Sequence, residues 1–172
     1  MEKVLVVVDM QNDFVDGVLG TPEAKEIVPK VAKKIEEWDG DIVFTQDTHD
    51  EDYLDTEEGK KIPVHCIIGT HGWQFVDELR GYTHVKRASI FAKTHFADSD
   101  IPAFVHDKYD KIEVVGLCTN ICVIMNVMSL KAYLPDAEIV VDASCCAGTT
   151  PEMHQKALDV MESCLIDIVN RK

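Results

Sequence analysis

Residues 4–8 read Val-Leu-Val-Val-Val, and Asp9 follows at once. A run of β-branched and Leu residues with no polar member is a strand covered on both faces, as in a parallel sheet with helices above and below it. The theme recurs along the chain. Strands are expected at 41–45, 112–117, 137–141 and 165–169, with a weak one near 84–86. Helical spacing runs through Ile27, Val31, Ile35 and Trp38, with Gly40 behind it as a stop, so a helix is expected over 22–38. A short helix is expected over 72–79, and longer ones over 121–133 and 151–163, while 50–61 reads as an acidic loop. There is no linker, repeat or low-complexity segment. Strand–helix alternation of this kind predicts one α/β domain over 1–172, built as three αβα layers around a mostly parallel central sheet. Ligands in such sheets bind beyond the carboxyl ends of the strands, so the residues that follow strands carry the functional reading.

Composition narrows the partners. A formal net charge of -14 disfavours nucleic acid and anionic membrane surfaces, whose phosphates are held by clustered Lys and Arg. No stretch approaches the roughly 20 apolar residues of a membrane span, and the N-terminus lacks the pattern of a signal peptide. The six cysteines do not form a disulfide framework: Cys145 and Cys146 are adjacent, and Cys118 and Cys122 share one short segment. Reduced thiols and a cytoplasmic location are therefore expected.

Three strand ends carry chemistry. Asp9 closes the first strand, where it serves either as a general base or as the cap of the next turn. The second strand runs into Asp47 and His49; residues two apart on extended chain point to the same side. With His65 they make one carboxylate and two imidazoles, a ligand set for a divalent ion, unless the histidines are simply a surface pair. The fourth strand leads through Cys118 to Cys122 where a helix begins. A thiol there feels the positive end of the helix dipole, which favours the thiolate, and free N–H groups at that turn suit an oxyanion. Each cysteine is alternatively a small buried hydrophobe.

Taken together, these segments resemble the isochorismatase-like cysteine hydrolases, and within them the nicotinamidases. The matching stretches are VLVVVDMQNDF at 4–14, TQDTHDEDYLDTEEGKKIPVHCIIGTHGW at 45–73, KTHFADSDIP at 93–102, VVGLCTNICV at 114–123 and VDASCCAGTTPEMHQKALDVM at 141–161. The resemblance implies a cytoplasmic enzyme that converts nicotinamide to nicotinate and ammonia through a thioester. It implies a triad of Asp9, Lys93 and Cys122, with Lys86 as the rival lysine. Asp47, His49 and His65 become the metal ligands, and Asp55 or a water completes the set. The ion expected is zinc, with manganese and iron as alternatives, and it would orient the pyridine nitrogen or a nearby water. Backbone N–H groups of Cys118 and Cys122 would hold the oxyanion, with a cis peptide at Leu117–Cys118. Phe14, Phe96 and Trp73 are candidates to line the ring pocket. The partner is a small-molecule amide; a homo-oligomer is left open. Asn120 departs from the acidic residue common in the family, and Thr94-His95 from its usual Pro-Thr. An isochorismatase-type or N-carbamoyl amide hydrolase and a non-catalytic metal-binding module are the alternatives. The metal trio argues against the isochorismatase branch, and the intact triad against the module.

Overall fold

A computed structural model describes residues 2–171. Six strands form one sheet: β1 (Lys3–Val8), β2 (Asp41–Asp47), β3 (Ala88–Lys93), β4 (Lys111–Leu117), β5 (Glu138–Ala147) and β6 (Asp167–Val169). Their order is β3-β2-β1-β4-β5-β6, and every pairing is parallel. The sheet is thus wholly parallel, and β1 lies at its centre with Val4 to Val8 fully buried. Burying each such side chain is worth about 1.5–3 kcal/mol.

The helices are α1 (Asn12–Val15), α2 (Pro22–Glu37), α3 (Asp77–Arg80), α4 (Ile101–Val105), α5 (Ile124–Tyr133) and α6 (Pro151–Ser163). Alternate residues of β1 feed opposite layers. Leu5 and Val7 pack with Phe14, Val31, Ile35 and Leu79 of α1 to α3. Val4, Val6 and Val8 pack with residues of α4 to α6 such as Ile101, Val127 and Leu158. The two long outer helices start alike: Pro22 and Pro151 occupy the first turn, and the Thr21 and Thr150 hydroxyls accept the Ala24 and Met153 N–H groups at 3.0 and 3.1 Å.

Three expectations need correcting. Residues 72–79 do not form a helix throughout; only Asp77–Arg80 is helical, because 70–74 turns back to meet the loop after β1. The third strand is Ala88–Lys93 rather than 84–86, and it is an edge strand whose half-exposed residues leave a faint hydrophobic pattern. The helix expected over 121–133 begins with a π-helical turn, Thr119–Val123.

After β1 the chain builds β2 and β3 to one side, then returns to build β4, β5 and β6 on the other. The crevice of such a switch lies between the carboxyl ends of β1 and β4. There β4 passes so near β1 that a Cβ on Gly116 would stand 2.2 Å from the Val8 carbonyl oxygen; this glycine has φ +119° and sits at a register shift of β4.

Candidate active site and metal-ligand group

Asp9 leaves β1 in the left-handed region, φ 47°, a conformation that costs a non-glycine residue energy and that clusters at functional sites. The Thr45 hydroxyl at the end of β2 donates to Asp9 Oδ1 at 2.6 Å and accepts the Asp9 N–H at 3.1 Å. The other oxygen, Oδ2, lies 2.7 Å from Lys93 Nζ, off the direction of a hydrogen bond, so it keeps a free acceptor direction in a fully buried place. Lys93 ends β3, and its ammonium also lies 3.6 Å from Cys122 Sγ and 3.0 Å from the His95 carbonyl. The structure thus brings Asp9, Lys93 and Cys122 together from the ends of β1, β3 and β4. Lys86 is exposed and precedes β3, at the opposite edge of the sheet.

The peptide Leu117–Cys118 is cis. Cys122 follows inside the π-helical turn and is buried among side chains from the α4 to α6 layer. Burial, then the Asp9 charge, push its thiol well above the ordinary range, and Lys93 only partly opposes them. Burial and the Asp9 charge thus work against the thiolate that a helix N-terminus favours. Burial likewise raises Asp9, against the pull of Lys93. Burial would lower Lys93, but Asp9, Cys122 and Asp47 outweigh it and raise the ammonium. Burial thus favours the protonated form of both Cys122 and Asp9, with the charged Lys93 beside them. Cys118 is also pushed up, to about 12, mainly by burial.

Asp47, His49 and His65 meet as expected. Asp47 Oδ2 is 3.0 Å from His49 Nε2 and 3.1 Å from His65 Nε2. The fourth member is Glu58, whose Oε1 lies 3.6 and 3.7 Å from the same two nitrogens. Asp55, the expected fourth ligand, is exposed: the 3-10 turn Tyr53–Asp55 buries Tyr53 and turns Asp55 outward. The Tyr53 hydroxyl then donates to Glu58 Oε1 at 3.2 Å. One ligand atom from each of the four falls within 4.8 Å of all the others. His65 Nδ1 bonds the Pro63 carbonyl at 2.7 Å, which leaves the Nε2 lone pair facing the group. Burial alone would raise the Asp47 carboxyl, but His49, His65 and Lys93 hold it below the usual range, so it stands as an anion. Two imidazoles and two carboxylates converging in this way fit zinc, manganese or iron.

Sequence reasoning missed the residues that hold these side chains in place. Gln11, fully buried, donates to the carbonyls of Asp47 and Trp73 at 2.8 Å each and accepts the Asp47 N–H at 2.7 Å. Asp13 accepts the N–H of Cys66, next to His65, at 2.8 Å. Their place in the Asp-Met-Gln-Asn-Asp segment beside Asp9 was the available signal.

A cavity of about 350 Å³ spans both groups, reaching Asp47, Glu58 and His65 at one part and Cys118 and Cys122 at another. Phe14 and Phe96 line it as expected, and Phe14 stacks edge-on to His65 at 5.4 Å. Trp73 does not; its indole donates to Thr48 Oγ1 at 2.9 Å, which directs the ring into the packing behind the loop. All six cysteines are free, and among the described residues no helix is long and apolar enough to cross a membrane.

The chain is similar to known proteins over nearly its whole length. The nicotinamidase of Saccharomyces cerevisiae is 25% identical over 215 residues, covering 98% of this chain and all of that protein. The pyrazinamidase of Pyrococcus horikoshii, solved in complex with zinc, is 28% identical, with a TM-score of 0.86 over 99% of this chain and 100% of that one. The pyrazinamidase/nicotinamidase of Streptococcus mutans is 27% identical, with a TM-score of 0.86 over 98% of this chain and 100% of the other. The isochorismatase domain matches residues 3–172, and the chain therefore belongs to the isochorismatase-like hydrolase family.

Proposed function

We propose that this protein hydrolyses nicotinamide to nicotinate and ammonia through a thioester on Cys122. The observation that carries the reading is the meeting of Asp9, Lys93 and Cys122 beside a cavity that also reaches a two-histidine, two-carboxylate group. In the first half-reaction the Cys122 thiol gives its proton to Asp9 as sulfur attacks the carboxamide carbon. The oxyanion is held by backbone N–H groups of Cys118 and Cys122. Asp9 returns the proton to the amide nitrogen, the C–N bond breaks and ammonia leaves. In the second half, water gives a proton to Asp9 and attacks the thioester, the C–S bond breaks, and sulfur recovers its proton from Asp9. Lys93 remains an ammonium throughout, balancing the Asp9 carboxylate and the charge that develops on sulfur.

Asp47, His49, Glu58 and His65 would hold the divalent ion, zinc by analogy with the Pyrococcus pyrazinamidase. When bound, the ion offers a Lewis-acid position to a ring nitrogen or a water. Phe14 and Phe96 supply apolar walls for an aromatic ring.

The test is ammonia release and nicotinate formation from nicotinamide, with pyrazinamide, benzamide and N-carbamoyl amides alongside. Turnover of nicotinamide at a kcat/KM above all the others supports the reading. Activity confined to another amide overturns the substrate, and inactivity on every amide overturns the enzyme.

A further inference from the structure

The turn that carries Cys122 stands on the start of α6, and two side chains make the joint. Asn120 uses both ends of its amide on Thr149: Oδ1 accepts the N–H at 2.8 Å, and Nδ2 donates to Oγ1 at 3.0 Å. Thr119 is fully buried, and its Oγ1 lies 2.7 Å from His154 Nδ1. The backbones are in close approach, since a Cβ on Gly148 would meet the His154 nitrogen at 2.7 Å and Asn120 Oδ1 at 2.9 Å. Among the described residues the Thr119 hydroxyl has no hydrogen-bond partner besides His154 Nδ1. A buried hydroxyl needs an acceptor, so its proton goes to Nδ1 and the ring hydrogen sits on Nε2. Burial and Arg171 both hold His154 below the ordinary imidazole range, which keeps that lone pair available at neutral pH.

We propose that His154 is a positioning residue for the nucleophile: by accepting the Thr119 hydroxyl it sets the rotation of the π-helical turn and so aims Cys122 Sγ. The proposal rests on the reading of Cys122 as nucleophile. Its physical basis is the looseness of that turn, where Ile121 and Val123 N–H groups share the Cys118 carbonyl at 3.0 and 3.1 Å. Such turns recur at functional sites and have poorer geometry than an α-helix, so a side-chain anchor decides their pitch. Thr119 and Cys122 lie in the same π-helical turn, so a rotation at one is delivered to the other. A misplacement of about 1 Å at a reacting atom can lower a rate by about 100-fold.

Three substitutions test this. His154→Asn places an amide oxygen where Nδ1 stood, His154→Gln places it where Nε2 stood, and His154→Ala removes the acceptor. For each, kcat and KM on nicotinamide are measured, with the rate of Cys122 alkylation by iodoacetamide in the absence of substrate and the unfolding temperature. The expected result is a tenfold to 100-fold loss of kcat in Ala and Gln at little-changed KM, on the scale of such a misplacement. Their alkylation rate departs from wild type several-fold, Asn stays near wild type in both readouts, and Thr119→Val reproduces Ala. Should Ala not fold, the Asn and Gln pair decides. Equal behaviour of Asn and Gln, with losses that follow unfolding temperature alone, overturns the proposal and leaves His154 a support of α6. Alkylation of Cys122 that distinguishes Asn from Gln in a protein inactive on nicotinamide upholds the positioning role and overturns only the substrate.

Discussion

Lys93 and Asp47 are register partners at the ends of β3 and β2, and their side chains meet, with Nζ 3.1 Å from Oδ1. The other Asp47 oxygen faces His49 and His65, so one carboxylate joins the candidate metal-ligand group to the lysine that faces Cys122. Lys93→Met should therefore leave Asp9 and Asp47 buried without their cation. Turnover should fall on the order of 10³-fold or more, and stability by about 3–5 kcal/mol, read by steady-state kinetics and denaturant unfolding. Lys86→Met, at an exposed site on the far edge, should change neither. The reverse result would move the lysine assignment.

Protein purified without chelator should carry about one divalent ion per chain, measured by plasma mass spectrometry. His49→Ala should lose most of it. Glu58→Gln should weaken binding by about tenfold or more, whereas Asp55→Asn should bind as wild type does. Metal-free wild type would remove the ligand assignment.

Cys122→Ala should abolish ammonia release, a loss on the order of 10⁴-fold or more, with metal content and fold retained. Cys118→Ala should be far milder, since alanine keeps the backbone N–H. Normal turnover by Cys122→Ala would refute the thioester mechanism.

The state of the Cys122 thiol gives a pH signature. Its raised value keeps it protonated through the ordinary thiol range, so alkylation without substrate should keep climbing as pH rises through about 9. Lys93→Met removes a charge that lowers the thiol and should slow labelling further. Asp9→Asn removes one that raises it, and should speed labelling even as turnover collapses. A labelling profile that levels off near neutrality would show an acidic thiol instead.

Away from the site, Lys34 of α2 reaches Glu113 and Asp142, the latter at 2.7 Å. Burial tends to raise the Asp142 carboxyl, but Lys34, Ser144 and Asn170 prevail and lower it. A lowered folded value stabilises the fold above the unfolded carboxylate range and is lost as pH falls through the folded value. Lys34→Met should cost about 3–5 kcal/mol at neutral pH. The cost should shrink under acid, which thermal unfolding at several pH values will read.

What the chain alone determined is local. An unbroken apolar run at 4–8 requires cover on both faces, a carboxylate directly after it must emerge at a strand end, and Asp47 and His49 two apart on extended chain must point together. Those facts made the layered sheet, Asp9 and part of the ligand group legible. Glu58 was not, because it is one acid among Glu51, Asp52, Asp55 and Glu57, and only the buried Tyr53 beneath that loop selects it. Lys93 was legible through resemblance but not through pattern, since β3 is a half-exposed edge strand whose place beside β2 decides which lysine reaches Asp9. The burial that raises the Cys122 thiol was not legible for the same kind of reason. A dipole can be inferred from sequence order, but desolvation depends on what the tertiary structure packs around the sulfur, and here burial raises the thiol.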